Sequence, residues 1–159
     1  MKFLEVKADD KKIIEQIIEI EKEAFGLNGG VDEWILKPII KYGKVFVLVL
    51  ENQVIGIAEY IRNFDGDEIF LYGFSIKKKY RKSGYGKKLL EESIKIFGEK
   101  KIKRMGLTVS LKNTKAIKLY KKIGFKMEKV LKDEYGKGID RLYFSIEIQN
   151  NLFDKVIYI

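Results

Sequence analysis

The stretch 71–104 most constrains the fold of this chain, because it joins a strand-like segment to a helix-like one through a basic turn with two glycines. Its first segment, LYGFSI, is apolar and predicts a buried strand, while Leu90, Ile94 and Phe97 recur at the spacing of one helix face. The turn at 81–86 reads RKSGYG. The first N–H groups of a helix lack intrahelical acceptors and lie at the positive end of its dipole, so this unit predicts an anion site.

The charge around this turn favours a ligand that carries several negative charges. Residues 77–104 hold twelve Lys or Arg and three Glu, a balance of +9 that equals the net charge of the whole chain. Gly84 and Gly86 let the backbone approach a phosphate closely. A GxG turn also occurs in ordinary surface loops, and the basic balance equally allows a nucleic-acid-binding module. Because the basic residues cluster at one turn and no RNA- or DNA-binding motif is visible, we do not expect a nucleic acid as partner.

The absence of cysteine and histidine removes several kinds of chemistry. It excludes disulfides, Cys/His zinc sites, thiol nucleophiles and Ser-His-Asp arrangements. Proton transfer must then use carboxylates, Tyr, Lys or water, and we expect no metal. No stretch approaches the ~20 apolar residues that span a bilayer, and the N-terminus lacks the apolar run of a secretory signal. We therefore expect a cytoplasmic protein without a membrane partner.

Hydrophobic periodicity and turn signals predict an α+β (mixed α/β) fold. The predicted strands are 2–7, 44–50, 54–62, 67–76, 104–110, 125–131 and 139–148. Four helices are predicted. The first begins after Asp9 or Asp10, the second spans 31–42, the third begins at Gly86 and the fourth spans 113–122. Short connections make the sheet mostly antiparallel, with one right-handed parallel crossover through the third helix.

Three local features complete this prediction. Pro38 should kink or end the second helix. Of the two turns that flank the third strand, Asp65-Gly66 gives the stronger hairpin signal. With 159 residues, 46% of them hydrophobic, the chain predicts one domain over 1–159, with a core at 2–148 and a tail at 149–159 that packs on it or contacts a partner.

Two motifs at this separation resemble those of the GNAT superfamily of N-acetyltransferases. The first, R/Q-x-x-G-x-G/A, is met by 81–86 directly after a strand. The second, N-x-x-A-x-x-L-Y-x-x-x-G-F, is met by Asn113, Ala116, Leu119, Tyr120, Gly124 and Phe125. The ending at 133–144, DEYGKGIDRLYF, resembles the final hairpin of many members, so that the resemblance covers about 2–148.

The resemblance implies acetyl-CoA as cosubstrate and a primary amine as acceptor, in direct transfer through a ternary complex. It implies a single GNAT-like domain whose sheet splays after the fourth strand, with helices on both faces. The pantetheine arm would pair with the backbone of Phe74, Ser75 and Ile76, one of whose amides would stabilise charge on the thioester oxygen. The pyrophosphate would lie on the amides of Arg81, Lys82, Ser83, Gly84, Tyr85 and Gly86.

The resemblance also implies roles for two residues of the second motif. Asn113 would hydrogen-bond the pantetheine region, and Tyr120 would contact the cofactor and act as general acid toward the CoA thiolate. A phenol with a pKa of ~10 stays protonated near neutral pH and can donate. Periodicity alone favours Tyr120 as a core aromatic on an apolar helix face, and the motif match is what favours the catalytic role.

Without histidine, Glu59 and Glu68 are the candidate bases, acting directly or through water. Glu68 lies on the face of its strand where some family members carry a catalytic Glu, and Glu59 is the only acid inside an otherwise apolar strand. For each, the alternative is a solvated carboxylate at a strand edge. Related ribosomal-protein alanine acetyltransferases place a Glu five residues before the motif Asn, where this chain has Thr108. We therefore do not expect ribosomal-protein acetylation by that mechanism.

The acceptor site of the family lies near the first two helices and the final hairpin. Residues 1–40 here carry a charge of −3, with Glu21, Glu23, Asp32 and Glu33 near the connecting loop. This pattern predicts a cationic acceptor such as a polyamine, an aminoglycoside, an amino-acid side-chain amine or a Lys or N-terminal peptide amine. The alternative to a cationic acceptor site is a solvated acidic face without a ligand. The alternative to an enzyme is a homologue that binds CoA without catalysis. The oligomeric state is left open, with a homodimer as one possibility.

Overall fold

The computed structural model of the protein describes residues 1–26 and 30–148. Its strands are β1 (Lys2–Glu5), β2 (Lys44–Leu50), β3 (Gln53–Arg62), β4 (Glu68–Ile76), β5 (Arg104–Ser110), β6 (Lys126–Leu131) and β7 (Arg141–Glu147). Its helices are α1 (Lys11–Phe25), α2 (Glu33–Tyr42), α3 (Tyr85–Glu99) and α4 (Thr114–Ile123), with a 3-10 turn at Lys78–Tyr80. The predicted α+β fold is confirmed, and the predicted tail at 149–159 lies outside the described residues.

The strands form one mixed, seven-stranded sheet in the order β1-β2-β3-β4-β5-β7-β6. The pair β2/β3 is antiparallel, as its short connection predicts, and the pairs β1/β2, β5/β7 and β6/β7 are antiparallel as well. The registers place Glu59 opposite Val45 and Tyr143 opposite Thr108. The splay of the sheet after the fourth strand stays a prediction.

The described residues group into two compact units, and the single domain over 1–159 therefore stays a prediction. The first unit comprises 1–62 and 71–93, and the second 63–70 and the part of 94–159 that the structure describes. In the first unit, apolar faces of α1 and α2 are buried with β2 and β3 in one cluster. Its members include Ile14, Ile17, Ile20, Leu36, Ile39, Val45, Val47 and Ile57. Each such side chain contributes roughly 1.5–3 kcal/mol on burial.

Pro38 does not end α2, and of the two predicted effects only a kink stays a prediction. The helix runs on to Tyr42, and the N–H of Gly43 donates to Ile39 O at 2.8 Å beyond it. Proline removes one helical hydrogen bond, whereas Leu36 and Ile39 on the same helix bury apolar area. Burial of this face therefore outweighs the local cost of the proline.

The tighter of the two predicted turns is at Glu51 and Asn52. These two residues connect β2 to β3, and both have positive φ, +50° and +63°, the pattern of a type I′ hairpin turn. The Asp65-Gly66 signal lies in a longer connection, in which the N–H of Asn63 donates to Glu68 O at 2.9 Å. No helix in the described part of the chain has the length and apolar character needed to span a bilayer.

Candidate active site

The loop 81–86 is fastened to the strands of the first unit where it begins. The Nε of Arg81 donates to Ile76 O at 2.7 Å, and the N–H of Lys77 donates to Ile55 O at 2.9 Å. Arg81 is thus held against the end of β4, in addition to adding the charge that the sequence predicts. Ser75 and Ile76 are buried there and Phe74 is half-buried. Pairing of their backbone with pantetheine stays a prediction.

Left-handed backbone conformations shape this loop. Lys82 and Gly84 have φ values of +65° and +81°. A Cβ at Gly84 would meet nothing within 4 Å, so the backbone conformation and not crowding favours glycine there. The N–H of Lys88 donates to Gly84 O at 3.1 Å, which leaves the preceding N–H groups of α3 without an intrahelical acceptor. Such alternating conformations ahead of a helix form anion-binding concavities.

Some of the positive charges around the loop have local partners. Lys87 pairs with Glu91 at 3.2 Å, and the Nζ of Lys79 lies 5.6 Å from the centre of the Tyr80 ring. The Tyr80 ring in turn meets Tyr85 edge-on at 6.2 Å. The side chain of Lys82 is exposed at the turn itself. The loop therefore combines a fixed backbone with an exposed positive surface.

Glu59 is not a solvated carboxylate at a strand edge. Its side chain is 0% exposed, and within the described residues neither carboxylate oxygen has a hydrogen-bond partner. Burial, followed by the charge of Glu21, raises the pKa of Glu59 to about 8. Gly73 on β4 makes room for it, because a Cβ at that glycine would overlap Glu59 Oε2. A carboxylate with this pKa is suited to accept a proton near neutral pH.

Glu21 is the second buried acid of this unit, at 1% exposure. Its Oε2 accepts the N–H of Val31 at 3.1 Å, while its Oε1 has no partner among residues 1–26 and 30–148. Burial raises the pKa of Glu21, and the hydrogen bond from Val31, followed by the influence of the Ser75 side chain, partly offsets this effect. Sequence reasoning placed Glu21 on an acidic surface, although its spacing of four and seven from Ile17 and Ile14 indicates the buried face of α1.

The other three acids of the predicted acceptor region have partners of their own. Glu23 accepts the N–H of Lys78 at 3.0 Å. Asp32 caps α2 by accepting the N–H of Ile35 at 3.0 Å, and Glu33 pairs with Lys37 at 2.6 Å. These contacts favour the alternative of a solvated acidic face for the exposed acids, and they leave Glu21 as the buried one.

In the second unit, Asn113 and Tyr120 lie at opposite ends of α4. Asn113 Oδ1 accepts the N–H of Ala116 at 3.2 Å and caps the helix. The NH₂ group of the same side chain is the part that can donate to a ligand. Tyr120 is 6% exposed, between Phe125 at 5.7 Å and Phe144 at 6.4 Å (ring centres). Burial raises the pKa of Tyr120, so its phenol keeps its proton at neutral pH. Gly124, at φ +112°, ends α4 as predicted.

Glu68, the other candidate base, is held by a residue that sequence reasoning missed. Tyr143 OH donates to Glu68 Oε1 at 2.5 Å. Burial and then this bond raise the pKa of Tyr143. Gly106 makes room for the pair, because a Cβ there would overlap both side chains. Next to it, the hydroxyls of Thr108 and Tyr135 are 3.2 Å apart.

The sequence model of the acetyltransferase (GNAT) family matches residues 14–125, more than half of the chain. An N-alpha-acetyltransferase of Sulfurisphaera tokodaii is 40% identical over 67 residues, which are 42% of this chain and 40% of that protein. The aligned part thus spans about two-fifths of the length of this curated relative.

Two solved structures share the fold. The ribosomal-protein-S18-alanine N-acetyltransferase from Escherichia coli has a TM-score of 0.76 at 17% identity and covers 99% of this chain and 100% of its own. An aminoglycoside 6'-N-acetyltransferase complexed with coenzyme A has a TM-score of 0.80 at 14% identity, and the match covers 93% of this chain and 97% of that one. At these identities the two likenesses establish the fold alone.

Proposed function

Because the chain belongs to the acetyltransferase (GNAT) family, we propose that it transfers the acetyl group of acetyl-CoA directly to a primary amine in a ternary complex. The loop 81–86 carries this proposal. Two residues with positive φ precede the first turn of α3 there, in an exposed and strongly basic segment. This arrangement suits a diphosphate, which would lie on the backbone N–H groups of the loop.

The pantetheine arm would pair with the backbone of residues 74–76, at the end of the strand that leads into this loop. Asn113 would hydrogen-bond the arm through its NH₂ group, since its Oδ1 caps α4. Tyr120 is the proposed acid for the CoA thiolate, because its raised pKa keeps the phenol protonated.

Glu59 is the proposed base. Its buried, unpartnered carboxylate and its pKa of about 8 match the task better than Glu68, which already accepts a hydrogen bond from Tyr143. The likeness to an N-alpha-acetyltransferase makes a peptide α-amine the first acceptor to test. Polyamines, aminoglycosides and lysine side chains complete the acceptor panel.

The test measures CoA release with this panel and identifies the products by mass. We expect one class of primary amine to gain an acetyl group. Tyr120→Phe should lower kcat by at least ~100-fold, whereas the matched change at an exposed tyrosine, Tyr42→Phe, should not. Absence of turnover with every amine, together with no binding of CoA by calorimetry, would overturn the proposal. CoA binding without turnover would instead identify a homologue that lacks catalysis.

A further inference from the structure

We propose that Glu21 and Glu59 act as one proton-accepting pair, in which Glu59 takes the proton of the acceptor ammonium and Glu21 is the positioning residue that sets its readiness to do so. This inference rests on the proposed acetyl transfer and adds to it a residue that neither motif contains. Both carboxyl groups belong to the first compact unit, Glu21 on α1 and Glu59 on β3.

Several carboxylate oxygens of the two residues are buried without a hydrogen-bond donor in the described part of the chain. Both oxygens of Glu59 and one oxygen of Glu21 have no hydrogen-bond partner inside the described ranges, although the two side chains are 0% and 1% exposed. Among the residues that the structure describes, neither an arginine nor a set of backbone N–H groups compensates the carboxylate of Glu59. A proton on Glu59 removes most of this cost, because it neutralises the buried carboxylate and with it the repulsion from Glu21.

The surroundings of the pair are arranged around its two carboxyl groups. Gly73 leaves the space that Glu59 Oε2 occupies. The N–H of Val31 donates to Glu21 Oε2 at 3.1 Å, and this bond and the side chain of Ser75 both favour the charged form of Glu21. The charge of Glu21, after burial itself, contributes to the raised pKa of Glu59. The two groups should titrate as a pair with apparent pKa values that belong to both.

A purely structural role does not explain this arrangement. Replacing a buried, uncompensated carboxylate with a neutral side chain of similar size usually stabilises a protein. Groups that cost stability and have shifted pKa values are concentrated at functional sites. A base that is charged only above neutral pH is such a group.

The proposed step balances as follows. The acceptor R–NH₃⁺ gives one proton to the Glu59 carboxylate, and the neutral amine forms the C–N bond as the thioester C–S bond breaks. The leaving thiolate takes a proton from the phenol of Tyr120. As the amide forms, the nitrogen loses a second proton, and this proton restores the phenol of Tyr120. One proton is therefore left on the pair, and it passes to solvent before the next turnover.

The test compares Glu59→Gln and Glu21→Gln with Glu19→Gln, an exposed position on the same helix. For each full-length variant, kcat/KM for the acceptor is measured from pH 6 to pH 10, and circular dichroism confirms folding. We expect Glu59→Gln to lose at least ~100-fold in kcat/KM. Glu21→Gln should keep activity but shift the acidic limb of the profile to lower pH by about one unit, because a like charge has been removed. Glu19→Gln should follow the wild type.

Each result decides between the two proposals. If the wild type turns over and a folded Glu59→Gln variant keeps that activity, the proposed pair is overturned, while the acetyltransferase function stands. An unshifted acidic limb in Glu21→Gln would reduce Glu21 to a structural residue and overturn its positioning role. Absence of wild-type turnover with every acceptor would overturn the function, and with it this inference.

Discussion

Tyr143 donates its phenolic hydrogen to Glu68 Oε1 across 2.5 Å, joining two residues that are 75 positions apart in the sequence. This bond occupies one oxygen of a candidate base before any substrate binds. Gly106 is the residue that allows it, since a side chain at that position would overlap both partners. The bond therefore gives Glu68 a structural partner within the second unit, and it favours the proposal that Glu59 is the base.

We predict that Tyr143→Phe lowers the free energy of unfolding by about 1 kcal/mol, because Glu68 loses its donor. Glu68→Gln keeps a side chain that accepts from Tyr143, so its kcat/KM should fall less than tenfold. Urea denaturation and steady-state kinetics measure the two effects. A hundredfold loss in Glu68→Gln at unchanged stability would make Glu68 the base and contradict the assignment to Glu59.

Two changes at Asn113 separate its cap from its proposed contact with the cofactor. Asn113→Ala removes the acceptor for the N–H of Ala116 and should cost about 1 kcal/mol of unfolding free energy. Asn113→Asp keeps a capping oxygen and should retain stability, but it has no NH₂ donor. We expect both variants to raise the KM for acetyl-CoA. An unchanged KM in Asn113→Asp would show that the side chain only caps α4.

The buried carboxylate of Glu59 should make the protein less stable as the pH rises. Burial and the charge of Glu21 raise its pKa from 4.5 to about 8, so between these values the native state binds more protons than the unfolded state. The stability is fully present below about pH 4.5 and decreases up to about pH 8. We predict that Glu59→Gln removes this decrease and is more stable than wild type at pH 9 by a few kcal/mol.

Urea unfolding at pH 5 and pH 9 measures this difference, with Glu19→Gln as the control that should follow the wild type. Since other groups titrate in the same range, the quantity to compare is the difference between variant and wild type at each pH. A constant difference across the range would mean that Glu59 is ionised in the folded protein at pH 5.

Gly84→Ala tests the anion loop by strain alone. Gly84 has φ +81° and open space where a Cβ would lie, so alanine should cost about 1 kcal/mol of stability without a clash in the free protein. Gly26, at φ +78° and with equally open space, is a matched control at the end of α1. We expect similar losses of stability in both variants, but a raised KM for acetyl-CoA only in Gly84→Ala. Equal KM values would contradict the loop assignment.

The local parts of this structure could be predicted from the sequence, because their signals are local. The turn at 81–86, the capping residue Asn113 and the terminating Gly124 act through backbone geometry within a few residues. The same local signals could not decide whether Pro38 ends α2, or which of the two predicted turns is the tighter one. Packing of a buried helix face and pairing of β2 with β3 override the local preferences of those residues.

The chemistry of the two candidate bases could not be predicted, because it depends on distant residues. Whether Glu59 is solvated or buried depends on Gly73 and on Glu21. Whether Glu68 is available depends on Tyr143, which lies in the ending at 133–144, but the resemblance of that stretch assigns no role to the tyrosine. For Glu21, in contrast, the sequence does contain a signal of burial, because its spacing from Ile14 and Ile17 places it on the apolar face of α1.

The overlap that any side chain at Gly73 would have with Glu59 also limits how this sequence can change. A chain that first replaces Glu59 with a smaller residue can later accept alanine or serine at 73, whereas the reverse order passes through a crowded intermediate. Positions 59 and 73 should therefore show directional epistasis in a deep mutational scan that scores the amount of folded protein, with substitutions at 73 tolerated better in backgrounds that have already lost the acid.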